Sequence, residues 1–338
     1  MNQFGTQSCF PISELSAISS VRRAGQILGS QVGFTEVRNG ELALLITEAA
    51  TNIIKHAGDG EILLRSLYSG SAVGVEVIAI DKGPGIDDLS LQMLDGNSTT
   101  GTYGIGLGAM ARMSHEFDIH TQAEEGTVLW MRLWSDPKAT DQQNWEVGAV
   151  CLPMPGEDVC GDAWTVNIAG PGLTLVVADG LGHGPDAANA SRKATEVANR
   201  SVRQPPALLL QDIHEGLRGT RGAAVAVTEI DVDRGQLHFA GIGNIAVCTF
   251  DSDTRRHLIS HNGIVGTNLR KVQEFAQSWA SPMLLIAHSD GINTRWDLES
   301  HPNLRHCHPS VIASLLYRDY CRGRDDVSVV VLREASGY

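Results

Sequence analysis

Glu48 and Asn52 stand four residues apart in a stretch, 42–57, that also carries Lys55 and His56. On a helix that spacing turns both side chains to one face. A carboxylate beside a carboxamide on an otherwise apolar face is costly without a partner. The asparagine can ligate a magnesium ion carried by a nucleotide, and the glutamate can hold or deprotonate a nucleophile. Alone, the helix reads as an ordinary amphipathic helix with a polar edge. Residues 81–85 (DKGPG) end an apolar stretch with Asp81, Gly83 and Gly85. The carboxylate can accept the exocyclic amine of adenine while the glycines let the chain turn tightly around the base; the plainer reading is a strand-end turn. Residues 101–108 (GTYGIGLG) bring Gly104, Gly106 and Gly108 to the start of a helix. Such backbone can curl around phosphates and present amides at a helix N-terminus. A lone run of this kind is a loop.

A second set is acidic. Asp162 lies in Cys160-Gly161-Asp162, Asp179 in ADGLGHG (178–184), Asp290 in HSDG (288–291), and Asp325 and Asp326 precede the apolar run 327–332. Aspartates at the mouths of core strands cannot serve the core. Clustered, they repel one another, and hard oxygen ligands of this kind suit Mg²⁺ or Mn²⁺. Any single Asp-Gly pair makes a good turn. Four such positions in similar contexts call for another reason.

Apolar periodicity supplies the elements that must position these groups. Helices are expected over 13–30, ended by Gly33, and over 35–56, where Leu42, Leu45, Ile46, Ala49 and Ile53 recur at helical steps. Strands follow at 61–68 and 73–81, a helix at 107–115, and a hairpin at 116–122 and 127–134. The order ααββαββ predicts one sheet with helices on one face. Residues 135–144 (SDPKATDQQN) are polar and lack apolar periodicity, so they read as linker. Beyond them, strands are expected at 147–153, 163–169, 173–178, 223–231, 236–242, 246–251, 283–288 and 327–332, and helices at 187–202, 207–217 and 309–320. Many antiparallel strands with few helices predict a two-sheet sandwich with helices outside. The organisation is thus a first domain at 1–134, a linker at 135–146 and a second domain at 147–338.

The chain has 338 residues, enough for about two domains. Its formal net charge of −13 argues against nucleic-acid binding and against docking on anionic lipid. No apolar run approaches the roughly 18 residues of a membrane helix, and no apolar signal-peptide core follows the polar start. Six scattered cysteines without a CxxC pair fit a reduced cytoplasm. Cys151 and Cys160 could approach each other but read as buried free thiols. His301, His306, Cys307 and His308 match no standard zinc spacing and read as a polar loop.

In order and spacing, E-x-x-x-N-x-x-K-H at 48–56, D-x-G-x-G at 81–85 and G-x-G-x-G at 104–108 resemble the nucleotide-binding boxes of GHKL-type ATPases. The likeness extends over residues 10–134 to the small serine kinases of bacterial partner switches, the RsbT type. It implies an α/β sandwich with a mixed sheet and helices on one face. It also implies ATP and Mg²⁺ as cofactors, with Asn52 holding the Mg²⁺ and Glu48 as candidate base. Asp81 would read adenine with Gly83 and Gly85 beside it, and Gly104, Gly106 and Gly108 would line a phosphate lid. Thr102 stands where close relatives often have another glycine, which implies a stiffer lid. No phosphoacceptor-histidine helix precedes the domain, so full histidine kinases fit less well.

Residues 147–334 resemble metal-dependent PPM-type (protein phosphatase 2C-like) serine/threonine phosphatases of the SpoIIE and RsbX branch. Besides the acidic motifs, the likeness rests on Arg221-Gly222-Ala223, Gly243-Asn244 and Asn262-Gly263. It implies an α/β/β/α sandwich of two antiparallel sheets and two Mn²⁺ or Mg²⁺ ions that activate a water. Asp179 would bridge the ions and the Gly180 carbonyl would bind one. Asp290 and Asp325 would complete the pair, and Asp162 would bind directly, through water or at an extra metal. Eukaryotic relatives carry a histidine directly after the Asp-Gly pair; here that position is Leu181, and His183 nearby reads as a solvated loop histidine.

Together the resemblances imply a cytoplasmic enzyme of two opposed activities. The first domain would phosphorylate a serine or threonine of a STAS-domain antagonist or stressosome-like protein, and the second would remove phosphate from such a protein. The rival implication is a non-catalytic first domain, an anti-sigma factor that grips a sigma factor or an ATP sensor that controls the phosphatase. A homodimer is compatible with either; nucleic acid and membrane are not expected partners.

Overall fold

Thr35 starts the helix that carries Glu48 and Asn52. Its Oγ1 accepts a hydrogen bond from Arg38 N at 3.2 Å, and Glu36 in the first turn complements the helix dipole. The computed structural model describes residues 4–93, 106–140, 144–201, 203–251, 254–269 and 272–335. The chain forms two units, one built on Gln3–Gln142 with Asp297–Arg318 and the other on Gln143–Trp296 with Asp319–Tyr338. Among the described residues no helix is long and apolar enough to cross a membrane.

The amino-terminal unit runs β1 (Ser8–Ile12), α1 (Leu15–Gln31), α2 (Glu36–Asn52), β2 (Gly60–Ser69), β3 (Ala72–Asp81), α3 (Leu89–Gln92), α4 (Gly106–Met113), β4 (Glu116–Gln122) and β5 (Gly126–Trp134). Among the described residues its sheet has the order β1-β2-β3-β5-β4. Val21 of α1 and Leu45, Ile46 and Ala49 of α2 pack with Leu64, Val75, Val77 and Met131 of the strands to form the core. Every ladder is antiparallel, so the sheet is not the mixed one expected. The strand β1 was not expected: it is five residues long and contains Pro11, which an edge strand tolerates.

The other side of this sheet buries charge. Glu76 is fully buried and meets Arg65 at 2.5 Å, Arg132 at 3.2 Å and Trp130 Nε1 at 2.8 Å. Burial pushes its carboxyl up, but Arg65 and then Arg132 outweigh that and hold it below its ordinary range. Residues 297–318, expected in the second domain, pack in this unit. Ser310 Oγ donates to Glu76 at 3.1 Å, and Tyr317 Oη donates to Glu61 at 2.9 Å. The histidine-rich stretch is a loop around a short 3-10 turn, Leu304–His306, as expected, but it is not simply solvated. His301 is buried, and the His308 ring stacks on Trp130 at 3.7 Å. A sheet face lined by arginine, glutamate and tryptophan offers such rings partners that composition alone does not reveal.

The carboxy-terminal unit contains β6 (Trp145–Leu152), β7 (Asp162–Ala169), β8 (Gly172–Gly180), α5 (Pro185–Arg200), α6 (Pro206–Gly216), β9 (Ala223–Asp231), β10 (Gln236–Ile242), β11 (Ala246–Asp251), β12 (Thr254–Leu258), β13 (Phe275–Ser278) and β14 (Leu284–His288). After it come α7 (Pro309–Tyr320), which lies in the other unit as far as Arg318, and β15 (Val327–Glu334). Two antiparallel sheets have the orders β13-β10-β9-β8-β7 and β12-β11-β14-β15-β6 among the described residues. Ala194 and Ala198 of α5 and Leu209, Leu210 and Ile213 of α6 cover the first sheet through Val176, Val225 and Val227. The strands β12 and β13 were not expected. Both lie at sheet edges and are short and half-exposed, and Arg255 and Arg256 blunt the β12 edge.

Candidate active sites

In the amino-terminal unit a cavity of about 440 Å³ is lined by Glu48, Asn52, Asp81, Gly85 and Gly106. That volume suits a nucleotide-sized ligand. α2 presents Glu48, Ala49 and Asn52 on one wall because they fall within one and a bit turns. The helix then loosens into a single π-type turn, Ile53–Ala57, which Gly58 closes. That turn brings Lys55 and His56 to the cavity. Ala79, Leu107, Ile119 and Leu129 supply apolar walls.

Asp81 ends β3 at the cavity. Its Oδ1 accepts from Gly83 N at 2.9 Å and from Thr127 N at 3.2 Å. Burial raises its pKa, and the two amides counter part of that rise. Gly83 acts here through its amide. Gly85 has φ of +75°, and a Cβ there would lie 2.3 Å from the Gln122 carbonyl, so the turn closes only with glycine. Gly106 opens α4 on the cavity wall, while Gly108 is buried within α4 against the Met93 carbonyl rather than facing a ligand. Gly104 lies outside the described residues. A polar end with a held carboxylate, an apolar middle and a Glu–Asn edge fit a purine nucleotide and its cation.

In the carboxy-terminal unit the four acidic motifs meet at one end of the sheets. Asp162 and Asp179 are direct partners across the β7–β8 ladder. Gly180 N donates to the Gly161 carbonyl at 3.1 Å, and α5 passes so close that a Cβ on Gly180 would lie 2.1 Å from the Ala187 carbonyl. Asp290 follows β14, and its Oδ2 accepts from Asn244 Nδ2 at 2.7 Å. Asp325 and Asp326 lead into β15.

The electrostatics record the crowding. Burial raises the pKa of Asp179, and Asp162, Asp290, Asp325 and Asp326 raise it further. Burial also raises Asp162; the Ser289 and Ser328 hydroxyls oppose this, while Asp326 and Asp290 add to it. The Oδ2 atoms of Asp162 and Asp326 are buried with no hydrogen-bond partner among the described residues. Among those residues no three His, Cys, Asp or Glu side chains already form a finished ion cage. What fits divalent cations is the donor chemistry: hard carboxylates, mutual repulsion and orphaned oxygens.

Asp326 is the member that sequence reasoning left without a role. It is 3% exposed, and its Oδ1 accepts from Met154 N at 2.9 Å, which ties the β6 end to the cluster. Its place beside Asp325 was the available signal. Thr127 likewise holds Asp81 from 46 residues away, a contact only the β3–β5 pairing explains. The Cys151 and Cys160 sulfurs lie 3.8 Å apart as free thiols beside Asp162.

Residues 13–133 match the histidine kinase-like ATPase domain family, and residues 170–334 match the stage II sporulation protein E (SpoIIE) family. Over 130 residues the chain is 35% identical to the serine/threonine-protein kinase RsbT of Bacillus subtilis (strain 168), covering 37% of this chain and 98% of that protein. A solved structure from work on the bacterial stressosome, a modular system adapted to control secondary messenger signaling, is 32% identical. It superposes with a TM-score of 0.53 over 56% of this chain and 100% of its own. RsbX in complex with magnesium shares the fold at 19% identity, with a TM-score of 0.51 over 58% of this chain and 98% of its own.

Proposed function

The chain belongs, through its amino-terminal segment, to the family of the serine/threonine-protein kinase RsbT, and from that premise we propose that it is a partner-switch regulator with opposed activities. Its amino-terminal unit phosphorylates a serine or threonine of a STAS-domain protein. Its carboxy-terminal unit hydrolyses the phosphoester of such a protein. One observation carries the reading: a single chain holds both a nucleotide-sized cavity edged by Glu48, Asn52 and Asp81 and a carboxylate cluster with orphaned buried oxygens.

At the first site Asp81 accepts the adenine amine, and the apolar walls grip the base. Asn52 holds the nucleotide's cation, and Glu48 orients the incoming hydroxyl and takes its proton. Phosphoryl transfer asks little more of a protein than positioning and charge neutralisation. At the second site Asp179, the Gly180 carbonyl, Asp290 and Asp325 hold divalent cations, with Asp162 beside them. When bound, the cations supply Lewis acidity toward the ester and its attacking water.

The test uses the full chain with labelled ATP, Mg²⁺ or Mn²⁺, and a STAS-domain protein from the same genome, in parallel with Asp290→Ala. Label that accumulates on the STAS protein with Asp290→Ala and turns over with the unaltered chain is the expected result. No label in either case, with ATP still bound, would overturn the kinase half and leave a first unit that sequesters a partner such as a sigma factor.

A further inference from the structure

The loop from β6 to β7 carries a thiol at each end. Cys151 sits in β6, opposite Ser328 of β15, and Cys160 stands two residues before Asp162. Their sulfurs are in contact, 3.8 Å apart. The Cys151 sulfur also lies 3.7 Å from the Asp162 carbonyl oxygen, and the Cys160 sulfur lies 3.2 Å from that of Leu152. Both residues are partly exposed, so a small oxidant can reach them. A disulfide bond is about 2.05 Å long, so closure brings the sulfurs about 1.8 Å nearer. Cys151 cannot follow far, because β6 is laddered to β15 along its whole length. Before Cys160, by contrast, Pro155, Gly156, Asp158 and Val159 are exposed. The yielding side is therefore Cys160, which draws Gly161 with it. Gly161 has no room to move. A Cβ there would lie 2.5 Å from Asp326 Oδ2 and 3.0 Å from Ala187 Cβ, and its carbonyl accepts from Gly180 N at 3.1 Å. Closure thus shifts the backbone that seats Asp162 opposite Asp179 and beside Asp326.

We propose that Cys151 and Cys160 are a reversible oxidation site: hydrogen peroxide closes them into a disulfide, and closure disables the carboxylate cluster. The second half rests on the phosphatase reading above. In the first step one sulfur attacks a peroxide oxygen and the O–O bond breaks. The sulfur becomes a sulfenic acid, and the departing hydroxide takes the thiol proton as water. In the second step the other sulfur attacks the sulfenic sulfur. The S–O bond breaks, and its hydroxide leaves as water with the second thiol proton. Two thiols lose two electrons, and one peroxide gains them to give two waters. A small-molecule dithiol reverses the change by thiol–disulfide exchange. In a reducing compartment such a pair rests as thiols and closes transiently.

The test treats the full chain with excess hydrogen peroxide, removes it, blocks remaining thiols and cleaves after Glu157, which separates the two cysteines. The peptides that carry Cys151 and Cys160 should remain joined and should come apart in dithiothreitol. A misplacement of about 1 Å can cost about 10²-fold in rate. Hydrolysis of 4-nitrophenyl phosphate with Mn²⁺ should therefore fall by about 10²-fold on oxidation and return in dithiothreitol. Mn²⁺ affinity, read by calorimetry, should fall by about tenfold or more. Cys151→Ser and Cys160→Ala should each keep the basal rate and resist the oxidant. Unjoined peptides would overturn the proposal. So would joined peptides with unchanged Mn²⁺ affinity and rate, or an inactivation that neither variant prevents. If the unoxidised chain hydrolyses no aryl phosphate, the phosphatase reading fails on its own. The joined peptides and the fall in Mn²⁺ affinity then still decide the proposal.

Discussion

The two candidate sites treat their aspartates in opposite ways. Asp81 enters its cavity already held: two backbone amides converge on one oxygen, and burial is the main force against its charge. Asp162 and Asp179 face each other across a ladder, each raised first by burial and then by neighbouring carboxylates, and one Asp162 oxygen has no partner among the described residues. The first arrangement is finished by the fold and waits for a neutral hydrogen-bond donor. The second keeps electrostatic tension that a cation discharges. A site of the first kind should bind its ligand through geometry. One of the second kind should bind through charge, and its stability should depend on pH.

The largest expected effect lies on the geometric side. Asp81→Asn keeps the shape but replaces a charged acceptor with an amide. A hydrogen bond to a charged group is worth about 1.5–3 kcal/mol, so ATP affinity measured by calorimetry should fall by roughly 10- to 100-fold, at about 1.4 kcal/mol per tenfold. Hydrolysis of an aryl phosphate by the other unit should persist. Unchanged ATP affinity would remove Asp81 from the adenine contact and break the comparison at its first term.

The next effect tests the tension directly. The Asp179 pKa rises from its ordinary 3.8 to about 9, so between those values the folded chain holds a proton that the unfolded chain releases. Its stabilising contribution is full below about 4 and is lost as pH rises toward 9. In a chelator, the melting temperature of the full chain should therefore fall between pH 7 and 9, on the order of 5 °C. The fall should shrink in Asp179→Asn, which has no proton to lose, and Mn²⁺ should offset it in the unaltered chain. A chelated chain with the same pH dependence as Asp179→Asn would show that the cluster stores no such tension.

How much of this was legible depends on the range of the interactions. Leu42, Leu45, Ile46 and Ala49 announced α2 by spacing, and an i, i+4 rule was enough to put Glu48 and Asn52 on one wall. Asp162, Asp179, Asp290 and Asp325 were legible as a set because each ends or begins an apolar strand. Only the ladders, however, bring residues 128 apart in sequence, Asp162 and Asp290, within electrostatic reach. The illegible parts are those whose partners are remote. The strand β1 exists because β2 offers it an edge, not because five residues containing a proline favour extension. His308 is a loop residue, as its sequence suggests, but the Trp130 ring it stacks on is 178 residues away. Local chemistry writes motifs into a sequence, whereas pairings of edges and faces are written in two places at once.

The smallest effect concerns whether the charge-driven site has any fixed geometry. Asn244 is exposed and donates through Nδ2 to Asp290 Oδ2 at 2.7 Å. A neutral donor there can act in two ways: it can aim the carboxylate, or it can compete with a cation for the same oxygen. Outer-shell partners that aim a ligand are worth about 10–100-fold in metal affinity. This contact is exposed, so Asn244→Ala should weaken Mn²⁺ binding by about tenfold at most, read by calorimetry at fixed pH. The substitution removes no core contact, so the folded state should persist. Tighter binding in Asn244→Ala would mean that the carboxamide competes. The cluster would then resemble the Asp81 cavity more than its electrostatics suggest, with its aspartate already satisfied and its ligand obliged to displace a partner.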